Sequence, residues 1–224
     1  RWAVPLLSLS RTADPVSASH GAWRVRLSPQ EQAIALAQHV VSEQGIRRVA
    51  LIYPPGTYGE NFMSAFWDEL VSLGGEVRAA QTYGPGMSSA EVEALVKRLV
   101  DAGEPGRRAS QDFEALLLVG RGRAGKRRAE DLRSLKDVLS HVQSQGMRIR
   151  TTPLKVRGAQ PIQALGDGTW NDRRSIDMGE FLTDNVLFVD GYLDDDRQRQ
   201  RQRFRSRVYT RTSRPPDAFD AIAY

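Results

Sequence analysis

Few residues in this chain of 224 are of types that could take part in chemistry. Cysteine does not occur, which excludes disulfides, thiolate zinc sites and a cysteine nucleophile. His20, His39 and His141 are isolated from one another, and neither a serine-hydrolase elbow nor a helical pair of zinc-binding histidines occurs. The acidic run at 194–196 is better explained as a cap for the charged helix that follows than as a cation site. The sequence therefore predicts no enzyme activity, no metal site and no cofactor.

One glycine-rich segment does match a nucleotide-binding pattern. Gly120, Gly122 and Gly125 follow a predicted strand and precede a predicted helix, as in the dinucleotide fingerprint. However, Arg127 stands where a phosphate loop needs Ser or Thr to bind magnesium. In addition, no strand ends in an acidic residue about 20 positions later to hold a ribose. A turn is therefore the preferred interpretation, and a nucleotide-binding enzyme is the least favoured alternative.

Polar residues follow each predicted apolar strand. They are Ser8, Ser10 and Thr12, then residues 56–59, then Gly120 and Arg121, and then residues 166–170. Ligands of open parallel sheets bind just outside the carboxyl ends of the strands. Together these residues would suit a small polar or zwitterionic molecule, because they offer hydroxyls, glycine amides, one aromatic ring, one cation and one acid.

The elements that must position these residues alternate between helices and short apolar strands. Capping boxes at 28–31 and 88–91 each begin a segment with apolar residues at helical spacing, and a further helix is predicted over about 127–145. The continuous apolar runs at 48–53 and 115–119 are typical of strands buried on both faces. This alternation predicts an α/β fold with an open parallel sheet covered by helices on both faces.

The charge balance is mildly basic, with 32 Lys and Arg residues against 27 Asp and Glu residues. Much of the excess lies in the runs 121–133 and 197–214, which are interleaved with polar residues. We interpret both runs as solvated helix faces and expect no nucleic-acid partner. No stretch approaches the roughly 20 apolar residues of a membrane span, so the chain is not expected to cross a membrane.

Several segments, taken in order, resemble the type I periplasmic ligand-binding proteins of the Leu/Ile/Val-binding family. They are VPLLSLSRTADP, WRVRLSPQEQAIALAQHVV, IRRVALIYPPGTYGENFMSAFWDELVSLGGEV, DFEALLLVG, LGDGTWND and VLFVDGYLDDD. The resemblance covers nearly the whole chain and is most specific over 48–77. It implies two Rossmann-like lobes joined by a hinge, with a small amino-acid-like ligand enclosed between them. It also implies a non-enzymatic substrate receptor that serves an ABC-transporter permease in the bacterial periplasm.

The same resemblance implies how the chain is divided. Residues 1–26 would form the last strand of lobe one and the hinge, residues 27–189 the complete lobe two, and residues 190–224 the return to lobe one. Members of the family begin with further strands of lobe one. We therefore expect the chain to be truncated at both ends.

The resemblance also implies ligand-binding residues, which are Ser8, Ser10, Thr12, Tyr58, Arg121, Asp167 and Gly168. Ser8, Ser10 and Thr12 match the first-lobe segment whose hydroxyls and amides hold the charged ends of an amino acid. Tyr58 matches the tyrosine whose ring covers the ligand, and we expect this ring to face solvent when no ligand is bound.

The last three of these residues concern the charge of the ligand. Asp167 or Gly168 falls near the position where amino-acid binders place an acid for the ligand's ammonium group. Arg121, like Arg11, departs from the small or aromatic residues usual there. It would exclude a branched-chain amino acid or favour an anionic ligand.

The sequence also resembles a second branch of proteins with this fold, and this alternative remains open. The segments TWND and FVDGYLDDD resemble the penicillin-binding protein activators. These act on a cell-wall synthase and regulate peptidoglycan synthesis rather than carry nutrients. This alternative implies an interaction protein whose cleft has lost its ligand, with a lipid anchor on a segment ahead of residue 1.

Overall fold

The computed structural model describes residues 6–8, 22–24, 27–84, 86–101, 113–120, 126–149, 161–170, 185–189 and 199–213. The chain forms two compact units. One comprises Arg1–Leu27 and Asp190–Tyr224, and the other is Ser28–Val189. The elements in chain order are β1 (Leu6–Ser8), β2 (Ala22–Arg24), α1 (Pro29–Ser42), β3 (Arg48–Tyr53), α2 (Thr57–Ser72), β4 (Glu76–Thr82), α3 (Ser89–Asp101), β5 (Ala115–Leu118), α4 (Lys126–Ser144), β6 (Gln163–Gly166), a 3₁₀ turn (Gly168–Trp170), β7 (Leu187–Phe188) and α5 (Arg199–Thr212).

The second unit is built on a five-stranded parallel sheet with the order β4-β3-β5-β6-β7. From β3 the chain first moves outward to β4 and then returns to the other side of β3 to form β5. The strand order therefore reverses between β3 and β5, which makes this the topological switch point of the sheet. The predicted α/β class with a parallel sheet is confirmed.

Two hydrophobic clusters cover the two faces of this sheet. Helices α1 and α2 pack together over one face, with Leu36, Val40, Phe62 and Phe66 fully or almost fully buried. Helices α3 and α4 pack over the other face, which has its own buried cluster. Because both faces are covered, all four residues of β5 are buried, which explains why this strand is a continuous apolar run.

The predicted capping boxes begin α1 and α3. The Ser28 hydroxyl accepts a hydrogen bond from the Glu31 amide at 3.1 Å, and the Glu31 carboxylate accepts one from the Ser28 amide at 2.6 Å. Ser88 and Glu91 repeat this arrangement ahead of α3, with the Ser88 amide donating to Glu91 at 2.7 Å. Each box satisfies amides that the first helical turn leaves without intrahelical partners.

In the first unit, β1 and β2 pair in parallel, with Leu6 opposite Ala22. Helix α5 lies within the predicted basic run 197–214. Phe204 and Val208, one turn apart, are buried, whereas Arg203 is exposed. Over Arg199–Thr212 this run is therefore a helix, and its described arginines, such as Arg203, are exposed, as expected.

Candidate functional site

The candidate site lies at the carboxyl edge of the second unit's sheet, around the switch point. Tyr58 follows β3, Gly120 follows β5 and Asp167 follows β6, and these three strands are neighbours in the sheet. Parallel strands end at the same edge, so residues far apart in sequence meet there. The structure brings all three together through the carboxylate of Asp167.

The Asp167 carboxylate accepts three hydrogen bonds and is 0% exposed to solvent. Its Oδ1 accepts from the Gly120 amide at 3.0 Å and from the Thr169 hydroxyl at 2.6 Å. Its Oδ2 accepts from the Tyr58 hydroxyl at 2.6 Å. Burying a carboxylate is costly unless its oxygens are hydrogen-bonded, and these three donors meet that requirement.

Gly120 has no side chain at the point where the Asp167 group crosses the end of β5. A β-carbon at this position would overlap the Thr169 hydroxyl and lie 2.9 Å from Thr169 Cβ. It would also lie 3.3 Å from Asp167 Oδ1. Glycine is required here because polar side chains approach the backbone. The amide that the dinucleotide pattern would offer to a phosphate donates to Asp167 instead, and residues 121–125 of that pattern lie outside the described part of the chain.

Further contacts hold the loop that carries Asp167. The Gly168 amide donates to Gln32 Oε1 on α1 at 3.0 Å. The Trp170 indole N–H donates to the Leu118 carbonyl at 2.9 Å. Gln32, Thr169 and Trp170 are buried. No local sequence signal predicts this role of Gln32, because Gln32 lies 136 residues from Gly168.

Tyr58 stands in the first turn of α2, after the loop that ends β3. Its side chain packs against the hydrophobic cluster under α1 and α2 and is half-buried. The ring was expected to face solvent, but the structure places part of it against the core and its hydroxyl on Asp167. The amide of Gly56, at the start of α2, donates to the Glu60 carboxylate at 3.1 Å, so this amide is also partnered.

The remaining predicted site residues are described less fully. Ser8 is the last residue of β1, and only its backbone is described. Ser10, Thr12 and Arg121 lie outside the described residues. Their assignment as ligand-binding residues therefore stays a prediction.

A second carboxylate lies at the opposite, amino edge of the sheet. Glu114 Oε2 accepts from the amides of Arg47 and Arg48 at 2.9 and 3.1 Å, and the Arg48 guanidinium lies 3.4 Å from Oε1. Partial burial works against the charged form of Glu114, but the two amides and the guanidinium outweigh it and lower the pKa of this carboxyl. The amino edge is thus tied by a charged group that water still reaches.

Among the residues that the structure describes, no group of three or more His, Asp or Glu side chains is placed to hold a metal ion. Within the same ranges, no helix combines the length and the apolar character needed to cross a membrane.

No protein-family model and no curated protein matches the sequence. Solved structures do match it. A branched-chain amino acid ABC transporter candidate from Rhodospirillum rubrum superposes with a TM-score of 0.71 at 17% identity, over 98% of this chain and 54% of that one. A branched-chain amino acid transporter substrate-binding protein from Streptococcus pneumoniae, in complex with isoleucine, gives 0.67 at 16% identity, over 99% and 54%. A solute-binding protein of R. palustris, in complex with benzoate, gives 0.60 at 16% identity, over 89% and 46%.

The chain has the type I periplasmic-binding-protein fold. This likeness confirms the fold that the sequence resemblance implied. The chain spans about half the length of these neighbours, as the shares of 54% and 46% show. The neighbours themselves are described as transport or solute-binding proteins.

Proposed function

We propose that this chain is part of a non-enzymatic periplasmic binding protein that closes by a hinge on a small, polar, amino-acid-like ligand. In this proposal it is the substrate receptor of an ABC transporter and delivers its ligand to a membrane permease. The fold supports the proposal, since neighbours with this fold were solved with isoleucine and with benzoate. Hinge closure would bury the ligand from both lobes and change the outer surface that a permease contacts.

The observation that carries the proposal is the position of Tyr58, Gly120 and Asp167 at the switch point of the sheet. Open parallel sheets bind ligands at this point because the connections diverge there and leave a crevice. Tyr58 offers a ring whose exposed part can contact a ligand, and Arg121, next after Gly120 in sequence, would supply a cation for a carboxylate. Ser8, Ser10 and Thr12 would contribute hydroxyls and amides from the first unit.

Thermal unfolding in the presence of a panel of ligands tests this proposal. The panel contains the common amino acids, including isoleucine, and small organic anions, including benzoate. At about 100 times its dissociation constant a ligand adds about 2.7 kcal/mol to the free energy of unfolding, which raises Tm measurably. Absence of any shift across the panel at saturating concentrations would count against a ligand receptor.

Substitution of Tyr58 locates the binding site. Tyr58→Ala should weaken binding of a ligand found in the panel by about 1 to 3 kcal/mol, because the ring would lose its contact with the ligand. Tyr209→Ala is the matched control, since Tyr209 is 59% exposed on α5. Equal affinities of the two variants would place the ligand elsewhere.

One observation favours a second candidate function. The polar groups at the switch point bond to one another, with the Tyr58 hydroxyl on Asp167 and the Gly168 amide on Gln32. A crevice whose polar groups already hydrogen-bond to one another fits an activator-type interaction protein that regulates peptidoglycan synthesis through a cell-wall synthase. Such a protein would be held near the membrane by a lipid anchor ahead of residue 1. In that case Tyr58→Ala would leave stimulation of the synthase unchanged, and no ligand in the panel would raise Tm.

A further inference from the structure

We infer that Asp167 is a positioning residue, which holds the Tyr58 ring at the switch point and does not itself bind the ammonium group of a ligand. The inference rests on the proposed ligand-binding function. It changes the role that the resemblance gave Asp167, from a direct ligand contact to a support for one. The carboxylate acts through Tyr58, whose ring is the group offered to the ligand.

The hydrogen bonds of Asp167 leave a ligand no access to it. Both oxygens accept from protein donors, and the residue has no exposed surface. An ammonium group would have to displace the Tyr58 hydroxyl, whose 2.6 Å bond to the carboxylate is of the short, charge-assisted kind. Such bonds are stronger than those between neutral groups, and displacing this one would leave a partly buried hydroxyl to be satisfied again.

The contacts around the carboxylate fix its direction. The Gly120 amide and the Thr169 hydroxyl both hold Oδ1, so the second oxygen is turned away from the end of β5 and toward Tyr58. The missing side chain at Gly120 leaves room for the Thr169 hydroxyl that holds Oδ1, and a β-carbon there would also lie 3.3 Å from Oδ1 itself. The group therefore joins the ends of three neighbouring strands.

Holding the ring in advance favours binding because the ligand need not order it. An aromatic side chain that is immobilised only on binding loses conformational entropy at that step. With its hydroxyl bound to Asp167 and its ring against the core, Tyr58 has already lost much of this freedom. Loss of the bond should weaken any ligand that contacts the ring, whether or not that ligand carries an ammonium group.

The first arm of the test needs no ligand. The protein is labelled with 3-fluorotyrosine, and the ¹⁹F resonances of Tyr58 and Tyr209 are assigned by Tyr58→Phe and Tyr209→Phe. Tyr209 is the control because it is 59% exposed on α5, in the other unit. Asp167→Asn should shift or broaden the Tyr58 resonance and leave that of Tyr209 unchanged. An unchanged Tyr58 resonance would overturn the inference.

The second arm separates positioning from direct contact. Isoleucine carries an ammonium group and benzoate does not, so their affinities are compared in wild type, Tyr58→Phe and Asp167→Asn. A positioning role predicts a loss of about tenfold in Tyr58→Phe for whichever of the two binds, and no further loss in the double variant. The loss in Asp167→Asn should be equal or smaller, because the Asn amide nitrogen can still donate to the Tyr58 oxygen. A loss for isoleucine that Asp167→Asn causes and Tyr58→Phe does not would instead identify Asp167 as the ammonium ligand.

The two arms distinguish failure of this inference from failure of the proposed function. If neither isoleucine, benzoate nor any panel ligand binds, the receptor function fails, and the ¹⁹F result still decides whether Asp167 holds Tyr58. If Asp167→Asn does not fold, Tyr58→Phe breaks the same bond and keeps the buried carboxylate. An unchanged affinity in Tyr58→Phe would then overturn the inference.

Discussion

Two carboxylates join neighbouring strands at opposite ends of the same parallel sheet. Glu114, at the amino end, keeps 35% of its side chain exposed and is held by the amides of Arg47 and Arg48 and by a guanidinium. Asp167, at the carboxyl end, is fully buried, and its three donors are neutral. The same chemical group thus ties strand ends together in two different environments.

The difference shows how access to water determines the loss in free energy of unfolding when such a carboxylate is removed. The donors around Glu114 are near water, which can replace the carboxylate as their acceptor. The amide of Gly120 and the hydroxyl of Thr169 are buried, so they would be left unsatisfied without Asp167. Substitutions at the carboxyl edge should therefore lower the free energy of unfolding more than substitutions at the amino edge. The following changes test this.

The largest effect is expected from Gly120→Ala. The added methyl group would overlap the Thr169 hydroxyl and press on Asp167, so both steric strain and lost hydrogen bonds should contribute. We expect the free energy of unfolding to fall by about 3 kcal/mol in chemical denaturation. Gly84→Ala is the control, because Gly84 follows β4 at the same edge and a β-carbon there would meet only Met87 Cγ at 4.0 Å. Equal losses in both variants would refute a special close approach at Gly120.

A smaller effect is expected from removing the carboxylates themselves. Asp167→Ala should lower the free energy of unfolding by about 2 to 3 kcal/mol, because buried donors lose their acceptor. Glu114→Ala should cost only about 1 kcal/mol, as is typical of exposed ion pairs and hydrogen bonds. Chemical denaturation of the two variants side by side measures the contrast. A loss at Glu114 as large as that at Asp167 would contradict the role assigned to solvent.

These contrasts also show which features local sequence could predict. Neighbouring residues encode the capping box at Ser28, the apolar run that forms β5 and the alternation of helices and strands. The structure confirms the α/β sheet that these features imply. The rule that ligands bind beyond strand ends also selected Tyr58, Gly120 and Asp167 from sequence alone. The positions of the candidate residues could therefore be predicted.

The partners of these residues could not be predicted in the same way. The bond between Tyr58 and Asp167 joins residues 109 positions apart, and its existence depends on the order of strands in the sheet. The glycine pattern beginning at Gly120 was ambiguous for a related reason. A backbone amide without a side chain suits a phosphate and an approaching carboxylate equally well. Only the folded arrangement identifies Asp167 as the acceptor.

The smallest expected effect is a pH dependence that arises at the amino edge. The pKa of Glu114 is lower in the folded protein than in the unfolded chain, so the unfolded state binds more protons at acidic pH. The stabilisation from Glu114 should therefore be complete above its ordinary pKa of 4.5 and be lost as the pH falls through the lower, folded value. The difference in unfolding free energy between wild type and Glu114→Gln should be constant near neutral pH and shrink in acid. The pKa of Glu91 is also lowered, through its hydrogen bonds with Ser88, but both proteins contain Glu91, so its contribution cancels from this difference. A wild-type advantage that persists unchanged at the lowest pH would mean that the charge of Glu114 does not stabilise the fold.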